Sequence, residues 1–163
     1  MARIYAVGES LLDIIIKEGE VQAARPGGSC FNTAISLGRL GLPVSFISET
    51  GRDRVGELIR GFLKQNGVDG SRLSYFRSGQ SALALAFLDA GNDASYQFYK
   101  EYPEQRLEVE FPDFHECDLL MYGSFYALDP GIRPRVKELL EKASSGGATL
   151  LYDPNFRDAH SAS

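Results

Sequence analysis

The sequence predicts an α/β fold in which helices alternate with the strands of a parallel sheet, with a smaller second sheet beside it. Segments with the apolar spacing of helices separate four short apolar runs, which cover residues 4–7, 44–48, 119–122 and 149–152. Strands that are separated by helices pair through right-handed crossovers, so this order indicates a parallel sheet. A pair of alternating runs interrupts the order near the middle of the chain and predicts a hairpin that belongs to the second sheet.

The first third of the chain predicts two strands and a helix. Residues 4–7 form a short apolar run that predicts a buried strand, and residues 11–16 form another, with Asp13 inside it. Residues 31–40 have the spacing of an amphipathic helix, which Gly41 ends.

A third strand and a second helix follow. Residues 44–48 predict the strand, and Asp53 is placed to cap the helix. The apolar side chains of this helix recur at helical spacing up to Gly67, at Val55, Leu58, Ile59, Phe62 and Leu63. The segment 51–56 could alternatively bind an anion, but a capped helix with surface arginines is the interpretation that we favour.

The predicted hairpin consists of residues 81–88 and 95–99 around the polar turn 89–93. Together with the strand at 11–16 it predicts a small separate sheet. Alanine alternates with larger residues in its first strand, and a flat face of alanines would let another sheet or a ligand come close.

Strand and helix alternate again after the hairpin. Residues 119–122 predict a strand, 129–131 a turn, 132–143 a helix and 149–152 a final strand. One side of that last apolar strand would stay uncovered, so we expect the chain to be half of a larger unit.

The composition excludes several classes of function. No apolar run approaches the ~20 residues of a membrane span. A net charge of −5 without a basic block makes nucleic acid a poor partner. The two cysteines, Cys30 and Cys117, have no partners at metal-ligand spacing, and His115 adds too little for a zinc site. No secretory signal pattern is present, so we expect a cytoplasmic location.

A ligand site is predicted where glycines precede the first helix. Gly27 and Gly28 allow close approach of the backbone, and Asn32 offers a donor and an acceptor one turn into the helix. Asp13 is equally compatible with binding ligand hydroxyls and with an exposed edge position on a one-sided sheet. If these groups converge, they have the character of a site for a sugar or another polyol.

Two further segments have both a functional and a structural interpretation. Residues 153–157 follow the carboxyl end of a strand, where ligands bind in open parallel sheets, although they also have the composition of a turn. Four aromatic residues of the hairpin region could form a ligand platform or simply pack within the sheet: Tyr96, Phe98, Tyr99 and Tyr102. No phosphate-binding loop of the Walker type or dinucleotide-binding glycine motif is present.

Five segments in order resemble one family. Residues 7–13, 26–34, 51–56, 97–100 and 153–157 match the amino-terminal half of the ribokinase-like (PfkB) sugar kinases, and the similarity is greatest to the fructokinase and 2-keto-3-deoxygluconate kinase branch. The resemblance implies a three-layer αβα sandwich, here partial, with a small β-sheet lid whose strands lie at about 11–25 and 81–100. It places the whole chain, 1–163, in the amino-terminal part of one domain.

The resemblance also implies roles for individual residues. Asp13 and Asn32 would bind sugar hydroxyls, Gly27 and Gly28 would form the hinge and backbone contact, and Phe98 would close the site from the lid. The resemblance places Arg157 toward the substrate or the transferred phosphate, and gives Asn155 a weak match to a nucleotide contact.

Members of this family use ATP and Mg²⁺ to phosphorylate a sugar hydroxyl, here expected to be that of fructose or a related ketose. The glycine-rich anion hole, the catalytic aspartate and the magnesium motif have no match in these residues, and Lys100 stands where many relatives have arginine. We therefore expect a chain that binds sugar but is inactive alone, and that pairs as a homodimer through the lid. A nucleoside kinase of the same fold and a non-catalytic sugar-binding module remain alternatives.

Overall fold

The computed structural model describes residues 2–155, which form two sheets and three α-helices. The strands are β1 Ile4–Val7, β2 Leu11–Lys17, β3 Glu20–Gly27, β4 Val44–Thr50, β5 Leu73–Tyr75, β6 Gln80–Leu88, β7 Ala94–Glu101, β8 Leu119–Gly123 and β9 Thr149–Asp153. The helices are α1 Ser29–Arg39, α2 Arg54–Gln65 and α3 Arg133–Ser145, with a 3-10 helix at Phe125–Leu128.

The main sheet is entirely parallel, in the order β5-β4-β1-β8-β9. The second sheet has the order β3-β2-β6-β7, in which β2 and β6 pair in parallel and the two outer pairs are antiparallel. Both predictions, a parallel sheet and a small separate sheet, are confirmed. The sequence analysis did not predict the short β5 or the 3-10 helix.

Helices cover both faces of the main sheet. On one face Ala6 and Phe46 pack with Phe31 of α1 and Ile59 of α2. On the other face an apolar cluster includes strand, loop and α3 residues, among them Tyr5, Ile47, Leu120, Phe114 and Leu139. Adjacent strand residues therefore contribute to opposite cores, as expected for a parallel sheet that is buried on both sides. The result is the predicted three-layer αβα arrangement.

Asp53 caps α2 and ties this helix to the second sheet. Its Oδ1 accepts a hydrogen bond from the Gly56 amide at 2.9 Å, and its Oδ2 accepts one from the Ser81 amide at 2.8 Å. Partial burial opposes ionisation, but the hydrogen bonds from Ser81 and Gly56 hold the pKa of Asp53 below its ordinary value. The capped-helix interpretation of this segment is confirmed.

The side chains of the edge strand β9 are exposed to solvent. Leu150, Leu151 and Tyr152 are each about two-fifths exposed, as the sequence led us to expect. Within residues 2–155, no helix combines the length and apolar character needed to cross a bilayer.

Candidate functional site

A cleft of about 1300 Å³ lies at the carboxyl edge of the main sheet. Residues that follow β1 and β8 line it, together with the end of β9, the start of α1 and strands β2 and β7 of the second sheet. Ligands of open parallel sheets bind at this edge, beyond the carboxyl ends of the strands. Six of the seven residues singled out for ligand contact lie in the described part of the chain. Arg157 lies outside the described residues.

Asp13 lies directly against Gly27. In the β2–β3 ladder Asp13 pairs with Arg25, and Leu11 pairs with Gly27. A Cβ atom added to Gly27 would lie 2.0 Å from Oδ2 of Asp13, so only glycine leaves room for this carboxylate. Because β2 is an interior strand and Asp13 is half-buried, the alternative of an exposed position on a one-sided sheet is wrong.

Gly28 makes the turn from β3 into α1 possible. Its φ of 128° is a conformation that L side chains rarely adopt, and a Cβ there would lie 2.2 Å from the carbonyl oxygen of Glu9. The amide of Asn32 donates to the Gly28 carbonyl at 2.9 Å, which closes the first helical turn. The Asn32 side chain is exposed and lines the same cleft as Asp13 and Gly28.

The strand β7 contributes an aromatic wall. Tyr96 and Phe98 stack with ring centroids 6.0 Å apart, and the Lys100 Nζ lies 4.7 Å from the Phe98 centroid. These alternate residues share one strand face, and all three line the cleft. Tyr99 belongs to the opposite face and is half-exposed.

Tyr102 packs inward instead of joining this wall. Its ring contacts Phe76 edge-on at 5.8 Å, and the Arg106 guanidinium lies 3.7 Å from its centroid. Packing is therefore the correct interpretation for Tyr102, whereas Tyr96 and Phe98 fit the ligand-platform interpretation.

Glu9 connects the first strand to the second sheet. Its Oε1 accepts a hydrogen bond from the Tyr102 hydroxyl and lies 2.7 Å from Lys100 Nζ. Burial raises the pKa of Tyr102, and the neighbouring Glu9 carboxylate raises it further, so the phenol stays protonated and donates this bond.

Beneath Tyr102 lies a buried ion pair that the sequence analysis missed. Arg106 Nε and Glu49 Oε1 are 2.5 Å apart, both side chains are almost fully buried, and the Leu107 amide donates to the other Glu49 oxygen. Burial raises the pKa of Glu49 even though Leu107 and Arg106 oppose this shift. Arg106 Nη1 also lies 3.7 Å from Oδ2 of Asp129, which lines the cleft. The only signal available in the sequence was a glutamate directly after the predicted strand 44–48.

The ends of β8 and β9 are held closely together. A Cβ on Gly123 would lie 2.0 Å from the Asp153 carbonyl oxygen, and this oxygen accepts a hydrogen bond from Ser124 N at 2.8 Å. The Asn155 amide donates to Oδ1 of Asp153 at 2.9 Å, which is the turn expected of this segment. Asp153 and Asn155 both line the cleft.

The described cysteines and histidine show no sign of metal chemistry. Cys30 is buried, which raises its pKa to about 11, and Cys117 is exposed and free. In the described part of the chain, no three His, Cys, Asp or Glu side chains are grouped to hold a metal ion.

The cleft can therefore bind a compact, hydroxyl-rich molecule. The carboxylate of Asp13 can accept hydrogen bonds, Asn32 can donate and accept them, and the rings of Tyr96 and Phe98 offer apolar faces. Gly28, which lines the cleft, has no side chain there and allows a ligand to approach the backbone.

Comparison with known proteins identifies the family. Residues 1–163 match the pfkB family of carbohydrate kinases, and the chain belongs to this family. It is 31% identical over 167 residues to a fructokinase of Solanum tuberosum, covering 94% of this chain and 52% of that protein. It is 30% identical over 165 residues to the probable fructokinase-4 of Arabidopsis thaliana, covering 94% and 51% respectively. The chain thus spans about half the length of these relatives.

Solved structures show the same fold. Apo fructokinase from Vibrio cholerae O395 superimposes with a TM-score of 0.82 at 21% identity, over 97% of this chain and 55% of that one. Aminoimidazole riboside kinase from Salmonella enterica, in complex with aminoimidazole riboside and an ATP analogue, gives a TM-score of 0.80 at 22% identity, over 96% and 51%. The ribokinase-like fold implied by the sequence motifs is confirmed.

Proposed function

We propose that this chain forms the sugar-binding half of an ATP-dependent kinase that phosphorylates a hydroxyl of fructose or a related ketose. The observation that carries the proposal is the carboxylate of Asp13, which lies against Gly27 in a cleft that Asn32 and Phe98 also line. The similarity to fructokinases over most of this chain supports the choice of substrate.

ATP with Mg²⁺ is the phosphoryl donor in this proposal. A sugar kinase of the same fold from Pyrococcus horikoshii was solved with ATP, which supports nucleotide use. ATP supplies the transferred phosphoryl group, and the residues of this chain bind and orient the sugar. The proposal places Arg157 toward the sugar or the transferred phosphate, and Asn155 toward the nucleotide. The proposal assigns no metal contact to the described residues, among which no three His, Cys, Asp or Glu side chains are grouped to hold a metal ion.

We further propose that the 163-residue chain on its own binds sugar but does not transfer phosphate. We also propose that the protein is cytoplasmic. The chain spans about half the length of its relatives and contains no Gly-Ala-Gly-Asp segment of the kind that supplies the family's base and anion hole. Calorimetric titration with fructose should give saturable binding, and an ATP-consumption assay with the same preparation should give none above background. Sugar-dependent ATP consumption by this chain would refute the inactivity proposal, and absence of fructose binding would refute the sugar site.

A nucleoside kinase is the second candidate. The rings of Tyr96 and Phe98 stack at the cleft wall with an interplanar angle of 12°, and a nucleobase could stack on the same surface. Titration with adenosine beside fructose separates the two candidates. Tighter binding of adenosine would favour the nucleoside kinase.

The second sheet also supports a homodimer. The face opposite Asp13 carries apolar side chains that are half-buried or exposed, namely Ile14, Ile16, Leu83, Leu85, Phe87 and Tyr99. A contiguous apolar face of this kind is a typical protein interaction surface, and a second copy of this sheet would match its character.

A further inference from the structure

The end of strand β4 is bonded to the chain segments that connect the two sheets. Within the described residues 2–155, the chain passes between the main sheet and the second sheet four times. Three of these connections make hydrogen bonds to the consecutive residues Ser48, Glu49 and Thr50, which we call the β4 anchor. All three residues are buried, although each carries a polar side chain.

Ser48 and Thr50 hold the connections that enter the second sheet. The Ser48 hydroxyl donates to the Gly8 carbonyl at 2.7 Å, in the connection from β1 to β2. The Thr50 carbonyl accepts the Phe76 amide at 2.8 Å, in the connection from β5 to β6. The Thr50 hydroxyl also lies 2.9 Å from that of Ser81, near the start of β6.

Glu49 contacts two connections at once. Its carbonyl oxygen accepts the Ser10 hydroxyl at 3.0 Å, just before β2. Its carboxylate accepts hydrogen bonds from the Arg106 guanidinium and the Leu107 amide, in the segment that leaves β7 for the main sheet. Leu107 has a φ of 51°, a left-handed conformation that is unfavourable for so bulky a residue. The Glu49 carboxylate therefore stabilises a bend that Leu107 does not favour by itself.

The Arg106 guanidinium links this anchor to two parts of the cleft. On one side it packs on the ring of Tyr102, whose hydroxyl donates to Glu9. On the other side its Nη1 lies 3.7 Å from Oδ2 of Asp129, which follows β8. Glu9 and Asp129 both line the cleft, so a displacement of Arg106 would move groups on both sides of the ligand.

We propose that Glu49 is a positioning residue that fixes the second sheet in its place at the cleft, and that sugar binding depends on it. This inference rests on the proposed function, since it concerns the same site. Glu49 is buried and does not line the cleft, so it acts through Arg106 and Leu107. A buried ion pair adds little stability over well-packed apolar side chains, but its charged hydrogen bonds are directional and fix where both partners lie.

Fructose affinity tests this dependence. In calorimetric titrations Glu49→Gln, which removes the charge and keeps the shape, should bind fructose at least about tenfold more weakly than the wild type. Glu49→Asp keeps the charge, but its shorter side chain must lose one contact or draw the connection toward β4. It should therefore bind with intermediate affinity.

Leu63→Ala is the control for loss of stability alone. Leu63 is fully buried between α2 and the main sheet and does not line the cleft, so its truncation destabilises the core without changing the anchor. It should leave the fructose affinity unchanged. Urea denaturation establishes which variants are folded under the titration conditions.

A distance measurement tests the position of the second sheet without ligand. One nitroxide label is attached to the exposed Cys117, just before β8, and one to Asp93→Cys, in the turn between β6 and β7, while Cys30 is buried. Pulsed electron paramagnetic resonance, with labelled chain diluted in unlabelled chain, gives the distance within one molecule. Both Glu49 variants should shift or broaden this distance, and Leu63→Ala should not.

The outcomes separate this inference from the proposed function. A fructose affinity or a label distance in Glu49→Asp equal to that of the wild type would overturn the inference, even if Glu49→Gln does not fold. An equal loss of affinity in Leu63→Ala would overturn it as well, because reduced stability would then explain the effect. Failure of the wild type to bind fructose would overturn the proposed function and the sugar dependence together, whereas the label distances would still test the position of the second sheet.

Discussion

Asp13 and Phe98 lie in the same cross-strand row of the second sheet, with only Ala84 between them. Asp13 of β2 pairs with Ala84 of β6, and Ala84 pairs with Phe98 of β7, so all three side chains belong to one face. Because the side chain of Ala84 is only a methyl group, it leaves room for the Asp13 carboxylate on one side and the Phe98 ring on the other. The row therefore presents a hydrogen-bonding group and an apolar surface to the same ligand.

Replacing Asp13 by asparagine should weaken fructose binding by about tenfold or more, because a charged acceptor contributes roughly 1.5–3 kcal/mol to a hydrogen bond. Calorimetric titration measures the change. Asp113→Asn is the matched control, since Asp113 is exposed, pairs with Lys142 and does not line the cleft. Unchanged affinity in Asp13→Asn would exclude Asp13 as a sugar ligand.

Gly27→Ala should reduce fructose affinity at least as much as Asp13→Asn. The new methyl group would lie 2.0 Å from Oδ2 of Asp13 and must displace this carboxylate. Gly61→Ala introduces the same methyl group on α2 where nothing lies within 4 Å, and it should stabilise the helix by about 0.5–1 kcal/mol. Titration and urea denaturation of both variants separate loss of the site from loss of folding.

Asp53→Ala should lower the free energy of unfolding by about 1–2 kcal/mol, because it removes the cap of α2 and the link to Ser81. The folded-state pKa of Asp53 is depressed, so its stabilisation is present above the ordinary carboxyl pKa and is lost as pH falls below it. Urea titrations between about pH 3 and pH 7 should show a shallower acid loss for the variant than for the wild type. Equal slopes would contradict the assignment.

Arg106→Met should destabilise the protein by about 3–5 kcal/mol, because it leaves the carboxylate of Glu49 buried without its cation. Adding Glu49→Gln to this variant should recover part of the loss. The exposed pair of Arg54 and Glu57 provides the control, and Arg54→Met should cost less than about 1 kcal/mol. Urea denaturation measures all three, and equal losses for the two arginine variants would contradict a buried pair.

Phe87→Glu should dissociate the proposed homodimer. Phe87 is 40% exposed on the apolar face of the second sheet, and a carboxylate there would oppose burial against a second copy. Leu58→Glu changes an exposed apolar residue of α2 outside that face and should leave the assembly intact. Light scattering after size-exclusion chromatography gives the masses, and a wild-type monomer would exclude the dimer.

The sequence predicted the architecture well because its signals are local. Apolar runs that end at glycines predicted the main strands, and the prediction that Asp53 caps a helix is confirmed. The position of Asp13 could not be resolved from its own strand, because its burial depends on β3 and β6 lying on either side. Residue-by-residue reasoning missed Glu49 and Arg106 for a similar reason. Their pairing joins a strand to a distant loop, and no spacing in the sequence records that contact.

The parallel pairing of β2 with β6 has a consequence for the order of folding. Each outer hairpin of the second sheet is local in sequence, but Leu11 meets Ala82 only after the intervening α1, β4 and α2 have brought the two segments together. A contact between segments so far apart in sequence costs chain entropy. This cost is smaller once the main sheet has formed and holds the two segments close together. We therefore expect the cleft to form late in folding. During refolding, the backbone amides of β2 and β6 should become protected from hydrogen exchange later than those of β1 and β4.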